Sequence, residues 1–252
     1  MSTVKTQVGR FVWHELMSTD VERAKSFYTE LLGWEIEVYK PGEIDYPMIS
    51  AGGTTHGGFW QQQAPGAPSH WLGHVCVEDV DGAANRAQGL GGTVLNGPMD
   101  MPEVGRFALL QEPHGAVFSA YRPEGDGSAS EGVFLWDELM SPDVEGSKSF
   151  YTEVFGWTAS DMDMGDLGIY TIFNRDEETQ VAGLLSKPEG MPGPAVWVPY
   201  IGADDVEATV ARAQELGANA LVSGMDVPGV GKIAILMDPT GAVFGLFKPN
   251  VG

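Results

Sequence analysis

The chain is short of four things, and each shortage excludes something. It holds one cysteine, Cys76, in 252 residues. No intramolecular disulfide can form, and nothing calls for an oxidising compartment. Positive charge is scarce: 14 Lys and Arg stand against 35 Asp and Glu, a formal net charge of -21. Nucleic acid and anionic membranes are therefore not expected as partners, because phosphate binding needs clustered cations. The acids are spread along the chain, as on a solvated surface that keeps a protein soluble. No apolar run approaches the roughly 20 residues that cross a bilayer. Residues 1–6 have neither the basic segment nor the apolar stretch of a signal peptide. The expectation is a soluble, cytoplasmic protein. Histidine is missing from the second half: His14, His56, His70, His74 and His114 all lie in the first.

What is present is written twice. The hydrophobic fraction is 43 %, a globular composition. Phe11–Glu37 matches Phe134–Ser160 without a gap, with 17 of 27 positions identical, and Met99–Pro123 matches Met225–Pro249 with 13 of 25 identical. Copies of this length are too long for solenoid repeats, so each is expected to be a domain. The domains are read as residues 10–123 and 133–249, joined by 124–132, a polar stretch of linker composition. The acid excess is uneven: -6 over residues 1–123, -3 in the linker and -12 beyond it.

Within each copy a strand-then-helix pattern occurs twice. Phe11–Met17 reads as a strand. Asp20 can cap a helix whose apolar Ala24, Phe27, Tyr28 and Leu31 fall at helical spacing. Thr19 with Glu22 offers a capping box as an alternative start. Gly33 supplies the stop. Strands are expected at 46–50, 58–62 and 71–77, a helix at 80–90, and a closing hairpin from 107–111 and 116–121 across Glu112-Pro113-His114-Gly115. Each copy is thus two βαβββ modules, and the chain has four.

The Asp20-Val21-Glu22 helix start, its Lys25-Ser26-Phe27-Tyr28-Thr29-Glu30 continuation and the terminal Pro113-His114-Gly115-Ala116-Val117-Phe118 hairpin resemble the vicinal oxygen chelate superfamily. Glyoxalase I, bleomycin- and fosfomycin-resistance proteins and extradiol dioxygenases belong to it. The Trp13-His14-Glu15-Leu16 opening is most similar to a two-domain actinobacterial branch. The resemblance implies an α+β fold of tandem glyoxalase-like domains, with modules paired into cup-shaped mixed sheets. Pairing within a copy and pairing between copies both stay open. Catalytic members hold a divalent metal with His and Glu ligands. Carried over, the three ligand positions fall on Trp13, Leu72 and Ser119 in the first copy and on Trp136, Val198 and Gly245 in the second. None of the six suits a hard divalent cation, so the family metal is expected to be absent. A strand slip of one residue would instead turn His14 inward, with Asp137 as its counterpart. The free variation between His14 and Asp137 argues for a solvent-side position.

If Trp13 faces a cup, so does Glu15, with Trp136 and Glu138 in the second copy. His74 and Cys76 share a face with Leu72, and Ser119 and Tyr121 share one with Val117. Tyr200 is the second copy's counterpart of His74. The candidate ligand-binding set is Trp13, Glu15, His74, Cys76, Ser119, Tyr121, Trp136, Glu138 and Tyr200, with Glu15 and His74 as catalytic candidates. A carboxylate in an apolar pocket has a raised pKa and can serve as acid or base, or hold a cation beside a Trp face. The plainer reading gives the Glu residues a structural role, makes Cys76 inert and puts His56, His70 and His114 in solvated loops. The leading expectation is a glyoxalase/bleomycin-resistance-like protein, monomer or homodimer, that binds a small, partly aromatic or hydroxylated molecule without a metal. The alternative is a metal-dependent lyase or dioxygenase of the same superfamily, with an offset His/Glu site in the first domain. A partner-binding protein with residual cups is the third class.

Overall fold

A computed structural model describes residues 7–40, 45–125, 132–165, 168–188 and 193–250. Most of the expected linker and of the 188–194 loop lies outside the described residues, as do residues 1–6. The fold is α+β. Among the described residues each copy supplies one eight-stranded mixed sheet and two helices of ten or more residues. In the first copy the strands are β1 (Phe11–Ser18), β2 (Glu35–Tyr39), β3 (Tyr46–Ala51), β4 (Thr54–Gln61), β5 (His70–Cys76), β6 (Thr93–Met101), β7 (Gly105–Gln111) and β8 (Val117–Pro123). Their order is β2-β3-β4-β1-β5-β8-β7-β6. The second copy repeats it with β9 (Phe134–Ser141), β10 (Thr158–Asp163), β11 (Ile169–Asn174), β12 (Gln180–Ser186), β13 (Val196–Gly202), β14 (Asn219–Val227), β15 (Gly231–Met237) and β16 (Val243–Pro249), ordered β10-β11-β12-β9-β13-β16-β15-β14. No helix among the described residues is long and apolar enough to cross a membrane.

The helices are α1 (Val21–Leu32), α2 (Val80–Gly89), α3 (Val144–Phe155) and α4 (Val206–Glu215). Asp20, Asp79, Asp143 and Asp205 cap them, each carboxylate accepting a backbone N–H three residues on. Thr19 takes no part in a capping box, because its N–H and hydroxyl are turned to Ser69 Oγ at 3.0 and 3.1 Å. Gly33 and Gly156 end α1 and α3 in the left-handed region, at φ 68° and 73°.

Three expectations are corrected here. The sequence reading omitted β2 and β6, the edge strands, whose exposed residues carry little alternation. Strand β4 starts at Thr54, so His56 lies in a buried strand, not an exposed loop; its Nε2 is 3.3 Å from Ala51 O. His70 and His114 are half-buried: His70 Nδ1 lies 3.0 Å from Pro68 O, and His114 Nε2 lies 3.4 Å from Asp143 Oδ2.

Sheets form within a copy, but the compact units do not follow the copies. One unit comprises Met1–Trp13, Leu72–Ala129 and Trp136–Trp197, the other His14–Trp71, Ser130–Leu135 and Val198–Gly252. In the first unit α2 and α3 sit over a core that includes Phe118, Phe150, Tyr151, Trp157, Phe173 and Trp197. Arg86 Nε donates to Val154 O at 3.0 Å, and Trp197 Nε1 to Tyr151 OH at 2.9 Å. Glu112 is 2 % exposed; its Oε2 accepts from Ser147 Oγ at 2.9 Å, while Oε1 is buried without a hydrogen bond. In the second unit α1 and α4 cover Phe27, Tyr28, Trp34, Trp71 and Phe244. There Trp71 Nε1 donates to Tyr28 OH at 3.1 Å, and Tyr28 OH donates to Asp238 Oδ2 at 3.0 Å.

Candidate functional site

Strand alternation and the cores decide which side chains share a face. Leu16 on β1 and Leu139 on β9 belong to the helix-covered cores. Trp13 and Glu15, like Trp136 and Glu138, therefore occupy the opposite face. His14 lies on the core side, 5 % exposed and stacked on Phe134 at 4.0 Å. Asp137 is buried as well. The variation between His14 and Asp137 is thus not that of a solvent-side position.

On β1, Glu15 stands directly opposite Gly58 of the parallel neighbour β4. A Cβ at Gly58 would come within 2.2 Å of Tyr46 OH, so the missing side chain is what lets Tyr46 reach over from β3. Its hydroxyl donates to Glu15 Oε1 at 2.7 Å, and its ring lies 5.9 Å from that of Trp60. Burial pushes the Glu15 carboxyl above the usual range, against the lowering effect of the Tyr46 hydrogen bond.

The second copy rebuilds this pair. Glu138 stands opposite Gly183, and a Cβ there would fall 1.8 Å from Tyr170 OH. Tyr170 OH donates to Glu138 Oε2 at 2.9 Å and accepts from Trp136 Nε1 at 2.8 Å. Burial and the Glu138 charge hold the Tyr170 phenol well above its ordinary value. Tyr46, Gly58, Tyr170 and Gly183 were absent from the sequence-derived set. The signal was available: a Tyr on the third strand and a Gly on the fourth recur in both copies.

The remaining candidates group differently. On β5 and β8, His74 is paired with Ser119, and Cys76 with Tyr121. The His74 and Tyr121 rings meet edge to face at 6.0 Å. Tyr121 OH donates to Val104 O at 2.8 Å, and burial lifts its phenol to about 12. Cys76 is fully buried, and that burial raises its thiol to about 11. Glu15 and His74, the two catalytic candidates, belong to different compact units.

The family metal can be tested against these residues. In the second copy Tyr200 on β13 is paired with Gly245 on β16, and a Cβ on Gly245 would lie 2.3 Å from Tyr200 Cδ1. The tyrosine ring occupies the space into which a ligating side chain at residue 245 would project. In the first copy the equivalent residue is Ser119, fully buried. Among the described residues no three His, Cys, Asp or Glu side chains group to hold a metal ion. The residues at the family's ligand positions do not fit the family's metal.

Sheet order, the repeated modules and the sequence together place the chain in a class. It belongs to the glyoxalase/bleomycin resistance protein/dioxygenase superfamily, whose family profile matches residues 10–119 and 134–246. Among similar proteins is one of Mycobacterium tuberculosis named "Putative glyoxylase CFP32", 32 % identical over 94 % of this chain and 94 % of that protein. Another is the anthracycline biosynthesis protein DauV of Streptomyces sp. strain C5, 30 % identical over 95 % of this chain and 93 % of that one. Similar solved structures include the Mn(II)-bound glyoxalase of Novosphingobium aromaticivorans, with TM-score 0.64, 18 % identity and coverage of 96 % and 82 %. The 2,2',3-trihydroxybiphenyl 1,2-dioxygenase of Sphingomonas wittichii has TM-score 0.65, 15 % identity and coverage of 96 % and 89 %. At these identities the solved structures establish the fold alone.

Proposed function

We propose that this protein binds a small aromatic, hydroxylated molecule on the open face of its sheets, without the superfamily's divalent metal. One observation carries the reading. Where metal-dependent chemistry needs His and Glu ligands, the chain has Trp, Leu, Ser, Val and Gly, while the same faces carry a Glu hydrogen-bonded to a Tyr hydroxyl in both copies. A carboxylate steadied by a phenol is an acceptor for a ligand hydroxyl, and neighbouring Trp rings supply apolar, flat surface. The relative named for anthracycline biosynthesis is consistent with an aromatic polyhydroxyl ligand. The net charge of -21 disfavours anionic ligands.

The test is a calorimetric titration of the purified protein with a dihydroxyanthraquinone, with and without prior dialysis against EDTA, alongside elemental analysis. Saturable binding unchanged by the chelator, with no stoichiometric divalent metal, is the expected result. A stoichiometric metal whose removal abolishes binding would establish the metal-dependent alternative instead.

A further inference from the structure

Each copy carries a row of three cross-strand neighbours on the face of its sheet turned away from the helices. In the second copy the row is Tyr200 on β13, Gly245 on β16 and Ile235 on β15. In the first it is His74 on β5, Ser119 on β8 and Leu109 on β7. Their chain neighbours Ile201, Leu246 and Leu236, and Val75, Ala120 and Leu110, belong to the helix-covered cores, so alternation puts both rows on the opposite face. Each row lies within one compact unit.

The second copy's row is filled by its own tyrosine. A Cβ on Gly245 would lie 2.3, 2.5 and 2.6 Å from Tyr200 Cδ1, Cε1 and Cγ. Consecutive ring atoms at nearly equal distance mean that the ring meets Gly245 with its face and not its edge. The ring therefore lies flat on the sheet, and a glycine is needed beneath it because a side chain would run into the ring. Tyr200 is 3 % and Ile235 7 % exposed. The first copy differs at every member of the row. Ser119 has a Cβ where Gly245 has none, so no ring can lie in that position, and His74 and Leu109 on either side are half-buried.

We infer that Tyr200 is a built-in occupant of the second copy's open face, a phenol standing where a ligand ring would lie, and that the ligand's ring is received by the first copy, between His74 and Leu109. This deepens the functional reading above and rests on it. The side chain that closes the second copy is itself a hydroxylated aromatic ring, the ligand class proposed for the protein. Tyr200 is thereby a specificity-determining residue: by filling one copy it limits the chain to one ligand.

The experiment uses the full chain and two probes. Tyr200→Ala takes the ring off Gly245, and an apolar cavity left by a deleted side chain can take up a ring-sized molecule. p-Cresol has the deleted ring and its hydroxyl. It is expected to raise the thermal midpoint of Tyr200→Ala saturably, by several degrees more than it moves the wild type. With a dihydroxyanthraquinone, calorimetry is expected to find one ligand per wild-type chain. Leu109→Asp sets a charge on the receiving row and should weaken that binding by about tenfold or more. The stoichiometry and Leu109→Asp decide the matter where Tyr200→Ala fails to fold. An equal p-cresol response in wild type and Tyr200→Ala, two equivalent ligands per wild-type chain, or wild-type affinity in Leu109→Asp overturns the inference while leaving metal-free binding in place. A wild type that does not bind the dihydroxyanthraquinone overturns the functional reading, and the ligand's place on the first copy falls with it.

Discussion

Glu112 gives the sharpest quantitative test of the structure. Its carboxyl lies in the hairpin between β7 and β8, buried among Ser147, Tyr151 and the capped start of α3. Burial lifts it from 4.5 to about 7, and the nearby Asp143 charge adds to the rise, while the Ser147 hydroxyl and the Ala116 backbone offset part of it. An acid whose pKa is raised by folding binds its proton more tightly in the folded state. The associated stability is therefore whole below about 4.5 and is lost as pH climbs from there through about 7. That rise from 4.5 to about 7, at about 1.36 kcal/mol for each tenfold change in proton affinity, amounts to roughly 3 kcal/mol, a large share of the 5–15 kcal/mol typical of a folded protein. Urea unfolding from pH 5 to pH 8 should show the wild type losing about that much more than Glu112→Gln. The glutamine keeps the shape and an acceptor for Ser147 but cannot ionise. Groups remote from this hairpin titrate alike in both proteins, so the difference reports Glu112 and the charges coupled to it. Parallel stability curves for the two proteins would refute the reasoning.

Three further outcomes follow from the same geometry. Cys76, buried with its thiol near 11, holds on the order of one thiolate in ten thousand at neutral pH; Ellman's reagent should find no reactive thiol until the protein is unfolded. Tyr28→Phe leaves both Trp71 Nε1 and Asp238 Oδ2 without the hydroxyl between them, a cost of about 2–5 kcal/mol. Tyr151→Phe strands Trp197 Nε1 and should cost less, as read by denaturant midpoints. Gly183→Ala puts a methyl group where Tyr170 OH lies and should destabilise by about 1–3 kcal/mol, with a thermal midpoint several degrees below wild type.

Much of the fold was legible because both copies carried the same marks. The Asp caps, the Gly33 and Gly156 stops and the helical spacing of Ala24, Phe27 and Tyr28 are local signals, and they located α1 and α3 almost to the residue. Strands β2 and β6 escaped because edge strands with mixed exposure lack the period-two pattern that marks a strand half-buried in a sheet. His56 escaped for a different reason. The glycines beside it suggested a flexible connection, whereas Gly57 and Gly58 lie inside β4, where glycine admits a close neighbour: His14 O beside Gly57 and Tyr46 OH beside Gly58. The Tyr–Glu pairs needed knowledge of the parallel register between β1 and β4, which no stretch of sequence contains. Glu15 and Glu138 could be placed on a face from alternation alone, but not matched with Tyr46 and Tyr170, which lie 31 and 32 residues away.

The duplication also decides what can fold alone. Hydrogen-bonded sheets close within a copy, but the buried apolar clusters do not. Among the described residues the first cluster takes 11 of its 22 buried members from Val75–Ala120 and 11 from Leu139–Trp197. The second takes eight from Leu16–Trp71 and ten from Ile201–Leu246. Cutting the chain between the copies would leave each sheet its backbone ladders while stripping every helix-covered core of about half its apolar partners. At about 1.5–3 kcal/mol for each large side chain returned to water, the loss exceeds the stability of an ordinary domain. The sequence repeat is therefore a unit of evolutionary copying and of hydrogen bonding, but not of hydrophobic stability. Divergence between the copies, from His14 against Asp137 to Glu112 against Asp238, has taken place among buried residues of cores that neither copy completes by itself.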